Sequence, residues 1–398
     1  MKDGWKIKTL GEVCEFQRGL TYSKKDEVDY SSNVVLRAMN IDRDSHLLDF
    51  NALKYIKDTI AIPDKKIVKV GSLIICTASG SKSHLGKIAF IDKDYGYAFG
   101  GFMGMLTPTS ELISKYLFHL MTSGAYEDFI GALADGMNIN NLKFDELKRF
   151  TVPVPPPAEQ QRIVGILDEA FAGLATAKAK AEQNLQNARA LFESHLQSVF
   201  SQRGEGWVEI TLPKASKEFG RGKSKHRPRN AKFLYGESYP FVQTGDIRGS
   251  NHTITSYEQM YSEEGLAQSK LWPTGTICIT IAANIAETGI LGFDGCFPDS
   301  VIGMIPDPET CTADYVEYLL QFFKVELQAL GKGSAQDNIN LGTFKDKKFP
   351  FAPLCQQKSI VEQLNALATE TQRLAAIYER KLAALEDLKK SLLHQAFN

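Results

Sequence analysis

The chain predicts an α+β protein of two similar globular domains, each followed by a long α-helix, the two helices forming an antiparallel coiled coil with pseudo-two-fold symmetry. Three observations carry this expectation: a long segment that recurs, a proline-rich exit opening each copy, and apolar residues stepping by three and four behind it. Residues 153–200 recur 197 positions later. Pro153 matches Pro350, Pro156 matches Pro353, Gln160 matches Gln357 and Ile163-Val164 matches Ile360-Val361, and the register then runs ungapped to Phe200 and Phe397. These are 13 identities in 48 positions, where chance gives roughly three, the mark of an internal duplication.

The regions in front of the two copies echo each other more loosely. Trp5 with Lys6 to Leu10 resembles Trp207 with Val208 to Leu212. Leu36 to Ile41 resembles Val242 to Ile247, and Gly71-Ser72-Leu73-Ile74 resembles Gly275-Thr276-Ile277-Cys278. Later, Gly104-Met105-Leu106 answers Gly303-Met304-Ile305, and Asn138-Ile139-Asn140 answers Asn338-Ile339-Asn340.

Short β-branched runs bounded by Gly, Lys and Asp read as strands: Ile67 to Val70, Ser72 to Cys76 and Lys87 to Ile91, then Thr276 to Ile281 and Gly289 to Phe293. A helical period follows through Tyr116, Leu117, Leu120, Met121 and Phe129, and again through Tyr315, Val316, Leu319, Leu320, Phe323 and Leu327. The proline segments 152–157 and 349–353 cannot be helix interior, so they close each globular unit. The boundaries expected are a first domain over 1–152, a central helix over 153–203, a second domain over 204–350 and a C-terminal helix over 351–398.

The helix seam runs through Ile163, Leu167, Ala170, Leu174, Ala177, Ala181, Ala188 and Leu191 in the first copy. In the second it runs through Ile360, Leu364, Leu367, Leu374, Tyr378, Leu385, Leu388 and Leu392, interrupted by Thr371 and Lys381. Small residues on one seam facing leucines on the other suit two helices packed together, and a repeat of 3.5 residues is the coiled-coil period. About 42 residues at ~1.5 Å each predict a rod of roughly 60 Å. The C-terminal helix returning antiparallel would then set the two domains at opposite ends of a strut.

Composition excludes several classes. The 398 residues allow two domains of about 150 with room for two long helices. A net charge of −1 neither demands nor forbids a nucleic-acid partner, because local patches decide that. Six scattered cysteines without a Cys-x-x-Cys pair read as reduced thiols of a cytoplasmic protein. The N-terminus lacks the apolar run of a signal peptide, and the longest apolar stretch, Ile277 to Ala286, is interrupted and too short to span a bilayer, so no membrane partner is expected. The seven histidines form no ligand cluster, so no metal is expected. Gly222-Lys223-Ser224 lacks the glycine five positions earlier that a phosphate-binding loop needs, that place being Lys217. The only Pro-Pro pairs follow Val154, so the Asn/Asp/Ser-Pro-Pro-aromatic loop of an adenine methyltransferase is missing, and no cofactor is expected.

The opening with Trp5 and Leu10-Gly11-Glu12, the segment Val242 to Ile247, the Asn-Ile-Asn segments and the two exits at 152–164 and 349–361 together resemble the specificity subunit of type I restriction-modification systems. The resemblance covers essentially the whole chain, although Leu354-Cys355 stands where the first exit has Pro157-Ala158. It implies that each globular unit is a target-recognition domain reading one half of a bipartite site in double-stranded DNA. It also implies helices that set the spacing and dock methyltransferase subunits, two of them, with restriction and motor subunits attached through those, and a chain that is not itself catalytic. The rival readings are a structural coiled-coil adaptor, which predicts no sequence-dependent DNA binding, and a self-sufficient methyltransferase, which predicts that the chain binds S-adenosylmethionine.

Candidate DNA contacts follow from charge. Lys214, Lys217, Arg221, Lys223, Lys225, Arg227, Arg229 and Lys232 crowd one stretch against the single Glu218, with Gly220 and Gly222 keeping the backbone free, which suits a mobile loop lying along phosphates. The matching place in the first half carries Arg18, Lys24 and Lys25. A second candidate is the small, polar loop with Ser81, Lys82, Ser83 and Lys87; its counterpart over 283–289 has no cation, so the two halves should read different bases. Asn138, Asn140, Asn338 and Asn340 can reach DNA, but Asn in front of a helix is more often a cap.

Overall fold

In each half the opening strand pairs with the proline-rich exit. Lys6–Thr9 runs antiparallel to Thr151–Val154 with Ile7 opposite Pro153, and Val208–Thr211 runs antiparallel to Lys348–Phe351 with Glu209 opposite Pro350. Proline cannot donate to a ladder, so it is tolerated here because a two-stranded ribbon has free edges. The exits are thus strands first, and the helices begin behind them, at Pro157 and Leu354.

The computed structural model describes residues 4–43, 45–81, 84–135, 141–226, 228–282, 284–332 and 338–397. They form two units, one of Met1–Glu182 with Glu379–Asn398, the other of Gln183–Tyr378. In unit 1 a four-stranded antiparallel sheet orders Cys14–Arg18, Met103–Pro108, Leu73–Cys76 and Ile88–Phe90. A second sheet joins Glu27–Val28, Lys54–Ile56, Asn33–Leu36 and Ala98–Phe99. Ile67 to Val70 is not a strand. Ile67 leaves a 3-10 turn at Asp64–Lys66 and makes one isolated bridge to Ala98, and Gly71 at φ 79° turns the chain away before a ladder can form. The single helical stretch expected around Tyr116 is two helices, Ser114–Leu120 and Gly124–Asp135.

Unit 2 repeats the plan with a five-stranded sheet ordering Ser216–Arg221, Val301–Pro306, Ile277–Thr280, Thr288–Leu291 and Thr253–Ile254, and a helix at Ala313–Lys332. Strand register corrects one sequence match. Ile75 faces Gly104 in unit 1, whereas the equivalent Ile279 faces Ile302, so Gly303 stands one place away from the position of Gly104. A bulge between Ser216 and Glu218 gives the strand Ser216–Arg221 one residue more than Cys14–Arg18, so that Arg221 takes the place of Arg18.

The central helix is continuous over Pro157–Ser201 and the C-terminal helix over Leu354–Phe397. In unit 1, Ile163 and Leu167 share a core with Leu393 and Phe397, and Lys178 Nζ meets Glu386 at 2.8 Å. In unit 2, Leu196 and Phe200 share a core with Leu364 and Ile360. Numbers rise along one helix as they fall along the other, so within each unit the helical segments pair antiparallel. Leu174, Leu367, Leu374, Leu385 and Leu392 are half-buried. Leu191 and Leu388, expected on the seam, are 50% and 47% exposed. Behind Ala181 and Ala188 the inward positions step by four to Phe192, Leu196 and Phe200, following the 3.6-residue turn of a straight helix rather than a 3.5-residue supercoil. On the other helix Lys389 takes the inward place beside Leu388, its ammonium 5.9 Å from the Phe171 ring centre. Thr371 is no interruption either: it is buried on the seam, its hydroxyl donating to Leu367 O at 2.9 Å.

Each domain is clamped to its helix by the duplicated glutamine. Gln160 is fully buried; its Oε1 accepts from Ile113 N–H at 2.8 Å, and its Nε2 donates to Glu111 O and Pro155 O, both at 2.9 Å. Gln357 does the same with Thr312 N–H, Thr310 O and Ala352 O at 3.1, 2.9 and 2.8 Å. Tyr116 and Tyr315 donate to the exit carbonyls of Pro153 and Pro350 at 2.8 and 3.0 Å. A further link has diverged in chemistry but kept its place. His119 Nε2 meets Asp168 Oδ1 at 2.9 Å in unit 1, and Tyr318 OH donates to Asn365 Oδ1 at 2.5 Å in unit 2.

Candidate nucleic-acid interface

The strand Cys14–Arg18 ends with Arg18 opposite Gly104, and the chain then turns at Gly19. A Cβ on Gly19 would lie 1.9 Å from Gly100 O, so the tight approach admits only glycine. Gly19 N–H donates to Met103 O at 3.0 Å and Leu20 N–H to Phe99 O at 2.7 Å, which presses the turn against the 99–103 strap. Lys66 Nζ donates to Arg18 O at 2.7 Å and Gly19 O at 3.1 Å; burial pulls its pKa down, and Lys65 adds to that. The Arg18 guanidinium lies 5.1 Å from the Phe144 ring centre, and Lys24 and Lys25 are exposed on the following 3-10 turn.

The second candidate loop of unit 1 begins at the same strap. Thr77 and Ala78 N–H both donate to Phe102 O, at 2.9 and 3.1 Å; Leu142 N–H donates to Thr77 O at 2.7 Å, and Ala78 bridges Asn141. Two segments distant in sequence, 19–20 and 77–78, therefore meet on residues 99–103, and 141–142 joins them through Thr77 and Ala78. Ser81 is exposed, and Lys87 is half-buried with Nζ 3.5 Å from Ile41 O. Lys82, Ser83, Asn138 and Asn140 lie outside the described residues.

Unit 2 builds the same corner with different surroundings. Arg221 ends its strand opposite Ile302, and a Cβ on Gly222 would lie 2.2 Å from Phe297 O and 2.4 Å from Pro298 O. Gly222 N–H donates to Val301 O at 2.9 Å, as Gly19 does to Met103. The basic run beyond it is not a free loop, and Gly222 is locked rather than mobile. Lys225 and His226 N–H donate to Gln268 Oε1 at 2.6 and 3.0 Å, and Ser269 Oγ donates to Lys223 O at 2.8 Å. Arg229 Nη2 is committed to both Asp299 carboxylate oxygens, at 2.7 and 2.9 Å. Glu218, the acid within the run, is paired with Lys270. Arg221, Lys223 and Lys225 are exposed and make no ion pair among the described residues; Arg227 lies outside them. Pinning the backbone while freeing three cations favours phosphate contact, because little ordering entropy remains to be lost.

Asn340 is a cap: its Oδ1 accepts from Gly342 and Thr343 N–H at 2.7 and 3.3 Å, at the start of the helix Leu341–Asp346. Asn338 is half-buried. The described part of the loop, 284–289, is tied down by Glu287, whose carboxylate meets Lys324 Nζ at 2.7 Å.

Sequence reasoning missed a second polar cluster. His252, at φ 66°, places Nε2 2.9 Å from Asp314 Oδ1 and Nδ1 2.5 Å from Glu317 Oε2, so the imidazole lies between two carboxylates. Glu317 is 1% exposed and also accepts from Thr288 Oγ1 at 3.0 Å and from Gln321 Nε2. Burial alone would pull the His252 pKa down, but the two carboxylates outweigh it and push it up to about 9. His119, by contrast, is held below the ordinary value by burial despite Asp168. Among the described residues no His/Cys/Asp/Glu group is arranged to hold a metal ion, and no helix is long and apolar enough to cross a membrane. The six cysteines are free thiols, five of them buried.

With this geometry in place, comparison with known proteins is direct. The chain matches the family model for the type I restriction modification DNA specificity domain twice, over residues 2–186 and 206–379. Over its whole length it is 24% identical to the specificity subunit of type I restriction enzyme EcoKI of Escherichia coli K12, covering 89% of that protein. It is likewise 24% identical, with the same coverage, to the StySPI specificity subunit of Salmonella potsdam. Among solved structures it superposes with a TM-score of 0.81 at 19% identity on a chain from a study of assembly and conformational transition in a type I R-M system, covering 100% of this chain and 98% of that one. On the HsdS subunit from Thermoanaerobacter tengcongensis the TM-score is 0.64 at 19% identity, covering 100% and 97%. At that identity the superpositions establish the fold.

Proposed function

Because the chain belongs to the type I restriction-modification DNA specificity family and is a specificity subunit, we propose that its two units each read one half of a bipartite DNA site and that the chain is not itself catalytic. The observation that carries this reading is the repeated Arg-Gly corner: Arg18-Gly19 and Arg221-Gly222 occupy the same strand end, are locked by the same N–H bond, and project a cation from each unit. Around that shared anchor the two units differ in charge and shape, as two readers of different half-sites should. Phosphate contacts fix register without carrying sequence, so a duplicated anchor with divergent surroundings fits one docking mode used on two sequences.

In this reading the paired helices set the half-site spacing and carry methyltransferase subunits, through which restriction subunits join. The partners are then double-stranded DNA and those subunits. The test is methylation mapping of the host genome with and without the gene: a split, methylated adenine motif should disappear with the gene. A motif that persists, or one that is continuous rather than split, refutes the proposal. Transfer of a labelled methyl group by the purified chain alone would refute its non-catalytic part.

A further inference from the structure

Resting on that reading, we propose that unit 1 recognises the major-groove edge of a thymine, seating its 5-methyl group in the recess beside the Arg18-Gly19 corner. The recess holds about 510 Å³ and is walled by residues of 20–27, 37–39, Ala78 and the 100–103 strap. Its walls include Leu20, Tyr22, Ala78 and Met103, and at its mouth stand Met39 and Phe102, 56% and 73% exposed. Exposed large apolar side chains beside a basic corner are out of place on a surface meant only for phosphates. The cations mark the rim: Lys24 and Arg37 line the recess without an ion-pair partner among the described residues, while the one acid in its wall, Glu27, is neutralised by Lys54 at 2.6 Å. The Arg37 guanidinium has N–H donors to spare, since its Nη2 makes only a long 3.4 Å bond to Ala52 O.

An apolar centre ringed by cations matches DNA approached through the major groove, with phosphates at the edge and bases in the middle. The apolar feature that a base pair offers there is the thymine methyl, and next to it stands O4, an acceptor suited to a guanidinium. Cytosine offers a donor amine and no methyl at the same place. The recess therefore discriminates by chemistry at two adjacent atoms.

The test uses the complex of this chain with its methyltransferase subunits and a duplex carrying the site mapped in the host. Each thymine of both half-sites is replaced in turn by deoxyuridine, which removes only the methyl. One position should weaken binding about fourfold, the worth of one buried methyl-sized group. In a Met39→Ala/Phe102→Ala double variant, both side chains being exposed and outside the core, the thymine duplex should bind about as weakly as the uracil duplex does to the parent, and the difference between the two duplexes should vanish. A site without an A·T pair in one half, no sensitive position, or a uracil effect undiminished in the variant overturns the thymine assignment while leaving sequence-specific binding intact. Loss of all preference for the mapped site in the parent complex would instead overturn the specificity reading, and this assignment with it.

Discussion

Replacing Gln160 by leucine keeps roughly the same volume but removes an amide that satisfies three backbone groups: Ile113 N–H, Glu111 O and Pro155 O. A buried polar group left without its partner costs about 1–3 kcal/mol. Glu111 is exposed and Ile113 half-buried, so water can reach part of what is lost, whereas Pro155 is buried. The expected destabilisation is then about 3–4 kcal/mol, and for a unit of this size each kcal/mol moves the midpoint by roughly 2–4 °C. Unfolding followed by scanning calorimetry and far-UV circular dichroism should show a fall of about 6–15 °C in the transition of unit 1. Gln357→Leu should do the same to unit 2, whose clamp is equivalent. Gln160→Glu should be no milder, because it turns an acceptor toward two carbonyls. The control is Gln161→Leu at the exposed neighbouring position, which should move nothing by more than about 1 °C. A shift below about 2 °C for Gln160→Leu, or one matched by the control, refutes the clamp.

The His252 pair is stabilising when the imidazole is charged. Its folded pKa is raised from 6.5 to about 9, so the contribution is complete below pH 6.5 and is lost as pH rises through 9. Urea midpoints between pH 6.5 and 9 should fall more steeply in the parent than in His252→Gln. Exchanging Arg221, Lys223 and Lys225 for alanine should weaken DNA binding and flatten the log–log salt dependence by about 0.9 per cation lost, whereas Arg229→Ala, already committed to Asp299, should do so less. Gly19→Ala and Gly222→Ala each drive a Cβ to within 1.9 and 2.2 Å of a carbonyl oxygen and should cost about 3 kcal/mol in chemical unfolding. Inserting four residues within 174–188 adds about 6 Å of helix, so if the helices are the ruler, methylation mapping should return the same half-sites with a spacer longer by one or two base pairs, at ~3.4 Å each.

What was legible in the sequence depended on whether the signal was repeated or merely local. The duplication exposed Gln160 and Gln357 as matched positions, yet their role waited on the structure, because their partners at 111–113 and 310–312 lie in loops without a pattern of their own. The seam expected from a 3.5-residue period and the 3.6-residue turn of the helix stay together from Ile163 to Ala188, then part, so that Phe192 turns inward where Leu191 was expected. Gly104 and Gly303 look equivalent because Gly-Met recurs in both strands, whereas the pairing sets Gly303 one place away. Charge counting located the basic run but could not separate Arg229, spent on Asp299, from Arg221, which makes no ion pair among the described residues. The recess at Met39 and Phe102 carried no signal, since exposed apolar residues are indistinguishable in sequence from buried ones.

The division of the helices between the units sets an order of events on the ribosome. Unit 2 is one uninterrupted run, Gln183–Tyr378, while unit 1 is finished only when Glu379–Asn398 arrives to bring Leu393 and Phe397 against Ile163 and Leu167. The domain made first must therefore wait, its apolar helix face uncovered, until that segment has emerged. A chain cut off before Glu379 would leave the later domain whole and the earlier one open, so the integrity of the first-made half depends on a segment synthesised after the second.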